Sequence, residues 1–513
     1  MESARSVRNL LKVNIFTLNT KKEIISKITR EVLSLFKVEI TGRRGEADYV
    51  QLSVVNHRLP VLEQDEAHDG ALVRMQTTLM LFTADGSCQK YQRTEAGKPD
   101  ELERAAVNRT IKLNLYRIFC QELGMPQAPW GILHGVRPTK IVHRWITYGL
   151  DEAAIVTRLM RDFACSEDKA RVITPMAFRQ LPFLNSSYEK TVSVYVGIPF
   201  CLTRCLYCSF PSNILPPDHI LRQFMTVLQK DIEAAKAAVR EHGFTVQNIY
   251  VGGGTPTALP DAYFASMLQM VYNSFYGPQI VEFTVEAGRP DSITREKLQV
   301  LRNHGISRIS INPQTMKQAT LDLIGRRHTV EDVKEKFLLA RELGFDNINM
   351  DLIVGLPEET IDDVRQTMEE IKALRPDSVT VHSLAIKRAA RLNIYKERYG
   401  NLKIVNTQEM IDLTAQYAEE MGLKPYYLYR QKNMAGNFEN VGYAVPGKEC
   451  LYNILIMEEK QTIAACGAGT TTKVYFPAEN RIERAENVKE VEQYIDRIDE
   501  MIGRKEKLLG RRE

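Results

Sequence analysis

The sequence contains no run of about 18 consecutive apolar residues, the length that a membrane-spanning helix requires. Residues 1–20 mix Lys, Arg, Glu and Asn with single apolar residues, and they lack the apolar core of about 7–15 residues that a secretory signal needs. We therefore expect no membrane span and a cytoplasmic location. Disulfides are rare in that reducing compartment, so clustered cysteines favour metal binding or catalysis.

A charge bias of one sign is also nearly absent, because 68 Lys and Arg residues stand against 64 Asp and Glu residues, a net charge of +4. No long basic tract occurs, so the charge pattern does not predict binding to nucleic acid. Apolar residues make up 44% of the chain and charged residues 26%, as in soluble globular proteins, which excludes a chain-wide disordered, collagenous or membrane class. The length of 513 residues predicts about two to four domains.

From about residue 192 onward, short β-branched runs alternate with amphipathic helical stretches, a pattern typical of βα units. The helical stretches, such as residues 219–241 and 329–343, are long enough to cross over between parallel strands. The pattern predicts an α/β fold with a parallel sheet, either doubly wound or curled into a partial barrel, and both architectures bind ligands at the carboxyl ends of the strands. The six predicted strands are residues 192–198, 248–251, 281–285, 308–311, 348–354 and 378–384.

Residues 1–188 show a different pattern, which we interpret as a separate α+β domain of unknown role. Its strand-like runs lie near residues 11–16, 49–55 and 72–82, and its helical stretches near 21–35 and 101–123. The segment 130–140 carries Gly, Pro and basic residues in a predicted loop, and we interpret it as a connector. After about Gly422 the pattern changes again, and the residues from Glu483 onward are charged and predicted to be helical.

Three of the eight cysteines form a C-x₃-C-x₂-C run, Cys201, Cys205 and Cys208, directly after the first predicted strand. A structural zinc site normally takes four protein ligands, and neither a fourth Cys nor a His stands nearby. A ferredoxin-type site also takes four cysteines. Three thiolates on a four-iron cluster leave one iron open to a substrate or cofactor. The scattered cysteines are expected to be small, buried and apolar in character: Cys88, Cys120, Cys165, Cys450 and Cys466.

This cysteine run matches in full the motif of the radical S-adenosylmethionine (SAM) enzymes, and the chain resembles that superfamily. Over residues 190–475 it is similar to the oxygen-independent coproporphyrinogen III oxidases, particularly their longer HemZ-type members. The resemblance implies a partial (β/α)₆ barrel at residues 189–422 between the N-terminal α+β domain, 1–188, and a smaller C-terminal domain, 423–513, that covers the substrate. It implies a [4Fe-4S] cluster, SAM and a low-potential electron donor of the flavodoxin or ferredoxin type.

The resemblance also assigns cofactor contacts at successive strand ends. Tyr195 matches a family tyrosine near the cluster and the SAM sulfonium, which makes it the candidate catalytic residue. The glycine-rich loop Gly252-Gly-Gly-Thr-Pro-Thr257 follows the second strand, and it lacks the Lys of a phosphate-binding loop. Arg327 is as basic as its neighbour Arg326, so that assignment allows a shift of one residue. The implied SAM contacts are Tyr195, Gly253, Gly254, Thr255, Glu286, Gln314, Arg326, Asp351 and Ile353.

For the substrate, the resemblance implies a tetrapyrrole whose propionates need cationic partners. The candidates are Lys387, Arg388, Arg391 and Arg430. The implied reaction abstracts a hydrogen atom from a propionate β-carbon through a deoxyadenosyl radical. Loss of carbon dioxide and of one electron to an acceptor then leaves a vinyl group, and two such reactions convert coproporphyrinogen III to protoporphyrinogen IX.

Two departures from the related families bear on this reading. Phe210 stands where the best-characterised oxidases have a further cysteine, although HemZ-type chains share the Phe. The chain has Tyr452-Asn453 and Ile456-Met457 where the related haem chaperones have His-Asn and Tyr-Trp. We favour the oxidase, and two alternatives stay open: a haem chaperone, and a radical SAM enzyme that acts on haem or another substrate.

Overall fold

The computed structural model describes residues 12–13, 23–36, 39–40, 51–60, 73–83, 85–97, 100–133, 135, 137–184, 190–210, 212–385, 390–394, 401–430 and 438–512. The chain divides into two compact units. The first comprises Met1–Gly135 with Ile141–Pro175, and the second Val136–Lys140 with Met176–Glu513.

The first unit is built on a three-stranded antiparallel sheet of consecutive strands, in the order β3-β4-β5. One face of this sheet and two helices enclose a core, in which Leu52 and Val54 of one strand meet Leu81 and Leu79 of the next. The strands are β1 (Lys12–Val13), parallel to β2 (Glu39–Ile40), and β3 (Gln51–Leu59), β4 (Val73–Phe82) and β5 (Cys88–Gly97). The helices are α1 (Glu23–Leu35), α2 (Glu103–Arg117) with a π-helical turn at Ile118–Glu122, and α4 (Glu152–Phe163). Two further helices, α3 (Thr139–Thr147) and α5 (Glu167–Gln180), have residues in both units.

The centre of the second unit is a run of six parallel strands that are neighbours in both sequence and space. They coincide with the six predicted strands, so that prediction is confirmed. Helices connect them, and two of these helices begin at a Thr and Asp capping box. The strands are β6 (Thr191–Ile198), β9 (Thr245–Gly253), β10 (Glu282–Glu286), β11 (Arg308–Ser310), β12 (Ile348–Val354) and β13 (Ser378–Ser383). A short ladder of β7 (Phe200–Cys201) and β8 (Asn213–Ile214) follows the first of them. The helices are α6 (Asp218–Glu241), α7 (Asp261–Phe275), α8 (Arg295–Asn303), α9 (Gln318–Leu323), α10 (Val330–Glu342), α11 (Ile361–Leu374), α12 (Arg391–Ile394) and α13 (Gln408–Glu420).

The residues after Gly422 extend this same sheet on both edges, to eleven strands. At one edge β14 (Lys424–Arg430) and β15 (Glu439–Ala444) are added antiparallel next to β13. At the other edge β16 (Thr462–Cys466) pairs parallel with β6, and β17 (Thr471–Phe476) and β18 (Arg481–Glu486) follow. The remaining helices are α14 (Leu451–Glu458), α15 (Val491–Asp496) and α16 (Ile498–Leu509). The predicted helical tail therefore begins after β18, because residues 483–486 pair with β17.

The six parallel strands turn polar residues inward and apolar residues toward the helices. In β12, Asn349 and Asp351 line an internal cavity, whereas Met350 and Leu352 are buried on the other face. Six strands about 4.8 Å apart would span about 24 Å if the sheet were flat. Residues from all six line one cavity of about 390 Å³, so the sheet curls around it. The prediction of a partial (β/α)₆ barrel is confirmed.

The structure also bears on the expected absence of a membrane span and on the expected burial of the scattered cysteines. Among the described residues, no helix has both the length and the apolar character to cross a membrane. Of the scattered cysteines, Cys165, Cys450 and Cys466 are buried as expected and Cys120 is half-buried. The expectation is wrong for Cys88, which is exposed because it begins β5, a strand whose first residues face solvent.

A buried ion pair anchors the C-terminal helices to α6. The Asp231 carboxylate is fully buried and accepts hydrogen bonds from Lys505 Nζ at 2.5 Å, Tyr494 Oη at 2.8 Å and the Gly467 backbone N–H at 2.9 Å. These donors come from α16, α15 and the turn after β16. The interaction therefore fixes the outer edge of the sheet against the helix layer.

The substitution Lys505→Met should destabilise the protein strongly, because it leaves the buried Asp231 charge without its cation. Loss of one partner of a buried ion pair costs about 3–5 kcal/mol. Lys507→Met, at an exposed position of the same helix, should stay within about 0.5 kcal/mol of wild type. Urea unfolding measures both variants, and equal stability of the two would contradict the prediction.

Candidate functional site

One cavity of about 390 Å³ opens at the carboxyl ends of the parallel strands and brings the predicted site residues together. All three clustered cysteines and all nine residues that the resemblance assigns to SAM line it. These residues are Tyr195, Cys201, Cys205, Cys208, Gly253, Gly254, Thr255, Glu286, Gln314, Arg326, Asp351 and Ile353. The structure thus gathers them on one surface, and their individual roles stay predictions.

The cysteine loop is fixed at its start and in its middle. The pairing of Cys201 with Ile214 holds its start. In its middle, Thr203 Oγ1 donates to the carbonyl of Gly325 at 3.1 Å and the Leu206 N–H to the carbonyl of Ile324 at 3.0 Å. Burial raises the pKa of Cys201 and also that of Cys208. These thiols therefore favour the neutral form until a positive centre is bound beside them.

The Cys205 thiol lies beside a positive charge. Arg289 Nη1 approaches Cys205 Sγ at 3.7 Å, and the same guanidinium pairs with Asp291 through contacts of 3.0 and 2.8 Å. Arg289 is almost completely buried. Its charge is directed at the cysteine loop by this ion pair.

The glycine-rich loop passes so close to the cysteine loop that side chains would collide. Gly253 has φ of +113°, a conformation that L-residues rarely adopt. A Cβ atom on Gly254 would lie 2.6 Å from the carbonyl oxygen of Phe200 and 3.1 Å from Cys201 Sγ. Glycine at this position therefore keeps the space beside the first cysteine clear, and Thr255 Oγ1 then lies 3.5 Å from the same sulfur.

A carboxyl group with a raised pKa stands at the end of β10. Burial raises the pKa of Glu286 to about 7, against the lowering effect of a 2.6 Å hydrogen bond from Tyr250 Oη. Tyr250 stacks on Tyr195 and on Tyr452 of α14, with ring centroids 6.0 and 4.5 Å apart. Tyr250 thus links this carboxyl group to a stack of three tyrosine rings.

Arg326 faces the cavity, and its neighbour Arg327 is exposed. The buried guanidinium of Arg326 donates to the carbonyl of Asn312 at 2.9 Å and to Tyr207 Oη at 3.2 Å. Because Tyr207 lies between Cys205 and Cys208, the contact connects the fourth strand's loop with the cysteine loop.

The ends of β11 and β12 are joined through an unusual backbone conformation. Gln314 has φ of +69°, although it is not glycine. Its N–H donates to the carbonyl of Asp351 at 3.0 Å, and its carbonyl accepts from the N–H of Ile353 at 2.9 Å. The Asp351 carboxylate accepts from Asn349 Nδ2 at 2.7 Å. Strained backbone of this kind concentrates at functional sites.

The structure does not bring the described candidates for propionate-binding cations into the cavity. Lys387 and Arg388 lie outside the described residues. Arg391 donates to the carbonyl of Arg204 at 3.3 Å, which places it on the cysteine loop, and it is not among the residues that line the cavity. Arg430 is buried at the end of β14, paired in register with Glu439, and does not line the cavity either.

Several cavity residues escaped the sequence analysis. His382 and Tyr429 are an example: Tyr429 Oη lies 3.3 Å from His382 Nδ1, and burial lowers the pKa of His382, so the imidazole is neutral near pH 7. The available signal was polar residues at alternate positions of otherwise apolar strands. Asn453 and Met457 also line the cavity, and the sequence analysis noted them only as departures from the haem chaperones. Further missed residues include Tyr207, Tyr250, Arg289, Arg308, Ser310, Asn312, Asn349, Thr380, Tyr427 and Asn440.

Glu286→Gln should change how stability depends on pH. Wild type keeps the proton of Glu286 to a pKa of about 7, whereas the unfolded chain releases it near 4.5. Wild type therefore loses stability as pH rises between these values, and the Gln variant does not. From about pH 5 to about pH 8 the difference in unfolding free energy should shift by about 2–3 kcal/mol in favour of the variant. Urea unfolding of the ligand-free protein measures it. The exposed Glu296→Gln is the control, and a pH-independent difference for Glu286→Gln would contradict the assignment.

Arg326→Met and Arg327→Met form a matched pair. The first removes the hydrogen bonds that connect Asn312 to Tyr207, and the second removes an exposed side chain. Loss of charge-assisted bonds of this kind should weaken SAM binding roughly tenfold or more at Arg326 and leave it unchanged at Arg327. Anaerobic equilibrium dialysis with SAM gives the affinities, and equal affinities in the two variants would exclude this role.

Comparison with known proteins identifies the relationship. Residues 195–371 match the radical SAM superfamily. The chain is 39% identical over 412 residues to the oxygen-independent coproporphyrinogen-III oxidase-like protein HemZ of Bacillus subtilis, which covers 79% of this chain and 82% of the relative. It is 29% identical over 275 residues to the heme chaperone HemW of the same species, covering 52% and 68%. Coproporphyrinogen III oxidase (HemN) of Escherichia coli superposes with a TM-score of 0.49 at 23% identity, covering 64% and 73%.

Radical SAM proteins use a [4Fe-4S] cluster and SAM as cofactors, and the described residues fit this pair. Three thiols line the cavity, no fourth cysteine joins them among the described residues, and Gly254 leaves room beside them. Among the described residues no three Cys, His, Asp or Glu side chains are grouped around one point as for a single metal ion, whereas a four-iron cluster is wide and separates its ligands. The polar wall beyond the thiols suits a zwitterion such as SAM. The chain therefore belongs to the radical SAM superfamily and, within it, to the family of oxygen-independent coproporphyrinogen-III oxidase-like proteins.

Proposed function

We propose that the chain is an oxygen-independent coproporphyrinogen III oxidase, an oxidoreductase of anaerobic haem biosynthesis. It converts two propionates of coproporphyrinogen III to vinyl groups and gives protoporphyrinogen IX. The observation that carries the proposal is the single cavity that holds the three cysteines next to Glu286, Gln314, Arg326 and Asp351. The relationship to a coproporphyrinogen-III oxidase-like protein over most of the chain supports the substrate class.

With an electron from a low-potential donor of the flavodoxin or ferredoxin type, the cluster and SAM supply a 5′-deoxyadenosyl radical. Each reacting propionate gives up a hydrogen atom from its β-carbon, and then carbon dioxide and one electron, which a separate acceptor takes. The protein contributes binding, orientation and the exclusion of water and oxygen.

In this proposal Cys201, Cys205 and Cys208 hold the cluster, and Arg289 and Arg326 fix the loop that carries them. Glu286, Gln314, Asp351 and Ile353 orient SAM at the strand ends. Tyr195 borders the cavity on the side of the cysteine loop and stacks on Tyr250 and Tyr452. This stack keeps water away from the reacting atoms.

The C-terminal residues complete the site. Tyr427 and Tyr429 of β14 and Asn453 and Met457 of α14 line the cavity opposite the parallel strands. We propose that this segment, residues 423–513, covers the tetrapyrrole. Its aromatic side chains offer flat surfaces to a macrocycle.

An anaerobic assay tests the proposal. The reconstituted protein receives SAM, a low-potential reductant and coproporphyrinogen III, and mass spectrometry follows decarboxylated porphyrin and 5′-deoxyadenosine. Both products should form. Cys201→Ala, Cys205→Ala and Cys208→Ala should each lose the cluster absorbance and both products, whereas Cys88→Ala, at an exposed cysteine of the first unit, should keep them. A cysteine-loop variant that keeps cluster and products would falsify the assignment.

A haem chaperone is the second candidate, and His382 is the observation that favours it. Its neutral imidazole faces the cavity, and neutral imidazole is a common haem ligand. In the chaperone case haem would bind stoichiometrically with a Soret band that His382→Ala shifts, and coproporphyrinogen would not be consumed. Deoxyadenosine without decarboxylation would instead indicate a radical SAM enzyme with another substrate, such as haem.

A further inference from the structure

The interior of the cavity contains an arginine without an ion pair. Arg308 of β11 lines the cavity and is 2% exposed. Its Nη2 donates to Ser378 Oγ at 3.1 Å, and its Nε is buried without any hydrogen-bond partner. Among the described carboxylates none forms an ion pair with it. A guanidinium is always charged, so this positive charge is held inside the barrel without a counterion from the part of the chain that the structure describes.

The acidic residue whose charge acts on Arg308 is already engaged elsewhere. Glu282 influences the guanidinium from the start of β10. Its carboxylate accepts the N–H groups of Leu451 at 2.7 Å and Tyr452 at 3.3 Å, and Cys450 Sγ at 3.4 Å. Glu282 therefore caps the N-terminus of α14, where negative charge is favourable, and it leaves the guanidinium of Arg308 available.

Of the two buried arginines beside the cysteines, Arg326 donates to Asn312 and Tyr207, whereas Arg289 has an acidic partner. Arg289 makes a two-point contact with Asp291. A buried charge without a partner is costly, and so is a buried polar group without a hydrogen bond. Next to Arg308 on the same face of β11, the hydroxyl of Ser310 also lines the cavity, and it has no partner. The Arg308 guanidinium and the Ser310 hydroxyl are thus neighbouring donors that one acceptor group can satisfy.

We propose that Arg308, with Ser310 beside it, binds a carboxylate of the substrate deep in the cavity. The inference rests on the proposed function, under which this carboxylate is a propionate of the tetrapyrrole. Arginine suits the task because its planar donors match the two oxygens of a carboxylate. It supplies, on a described strand, the cation that Arg391 and Arg430 do not bring to the cavity.

The depth of Arg308 in the cavity suits a propionate arm of the substrate rather than its macrocycle. Arg308 lies opposite Thr284 and Ser310 opposite Glu286 in the register of β10 and β11. With a rise of about 3.3 Å per residue, Arg308 begins about 7 Å below the layer of Glu286. A two-carbon propionate arm can enter this space while the macrocycle stays at the strand ends. An ion pair stabilises the carboxylate, so we assign this contact to a propionate that the reaction leaves intact.

A kinetic comparison tests the role of the residue. Arg308→Met should raise the KM for coproporphyrinogen roughly 10- to 100-fold, the effect of one charge-assisted pair. Arg308→Lys should recover part of this loss. Cluster content and SAM affinity should match wild type, which separates the effect from damage to the cofactor site. The control is Arg295→Met, at a half-exposed position on α8, and it should leave KM unchanged. An unchanged KM in well-folded Arg308→Met would overturn the proposal.

A binding measurement tests the chemistry without turnover. Coproporphyrin III as the free acid and as its tetramethyl ester are titrated into the cluster-loaded protein, with fluorescence quenching as the readout. Wild type should bind the acid at least about tenfold more tightly, and Arg308→Met should lose most of this preference. Equal binding of acid and ester by wild type overturns the inference even if no Arg308 variant folds.

Different results would contradict the proposed reaction and the proposed carboxylate site. If wild type does not consume coproporphyrinogen but prefers the free acid through Arg308, the proposed reaction is wrong and the carboxylate site stands. If wild type produces protoporphyrinogen IX and Arg308→Met keeps both its KM and its acid preference, the reaction stands and the carboxylate site is wrong.

Discussion

The alternation of polar and apolar residues along the parallel strands is the constraint on which the site depends. In a strand, successive side chains point to opposite faces. Here the apolar set, such as Val379 and Val381 of β13, packs beneath the helices, and the polar set, such as Thr380 and His382, faces inward. The helix layer supplies the hydrophobic free energy, so the interior does not have to be filled with apolar side chains. A cavity with charged walls can therefore exist inside a stable sheet.

The closing of this cavity depends on α14, because that helix joins the two sides of the curled sheet. It packs against both β14 and β9, and Tyr452 reaches the rings of Tyr195 and Tyr250. Its start is fixed by Glu282, whose carboxylate accepts backbone N–H groups that would otherwise be buried without partners. The same carboxylate acts electrostatically on Arg308. Because Glu282 accepts from the start of α14, it caps that helix and forms no ion pair with the arginine.

Local patterns in the sequence predicted the six strands and the cysteine loop, because β-branched runs and cysteine spacing are short-range signals. Arg308 and His382 were missed for a physical reason: their importance comes from register between strands that are far apart in sequence. The strands after Gly422 were not foreseen as parts of the same sheet, since β16 pairs with β6 across about 270 residues of chain. Cations for the substrate were sought in the loop after the sixth strand and at Arg430, whereas the described arginines that line the cavity lie in and beside the earlier strands.

The charge state of the cavity indicates which ligands it selects. Glu286 has a pKa of about 7, so its carboxyl group is mostly protonated below pH 7. The lowered pKa of His382 keeps its imidazole neutral near pH 7, while Arg308 and Arg326 stay positive. Arg289 also lines the wall, and Asp351 is its other acidic residue, so cationic side chains outnumber acidic ones while Glu286 is protonated. This excess becomes smaller as pH rises and Glu286 ionises. A tetrapyrrole with four propionates gains more from such a wall than haem with two. Under the proposed function, charge is therefore the feature of the wall that would distinguish coproporphyrinogen from haem, because only coproporphyrinogen brings four propionates.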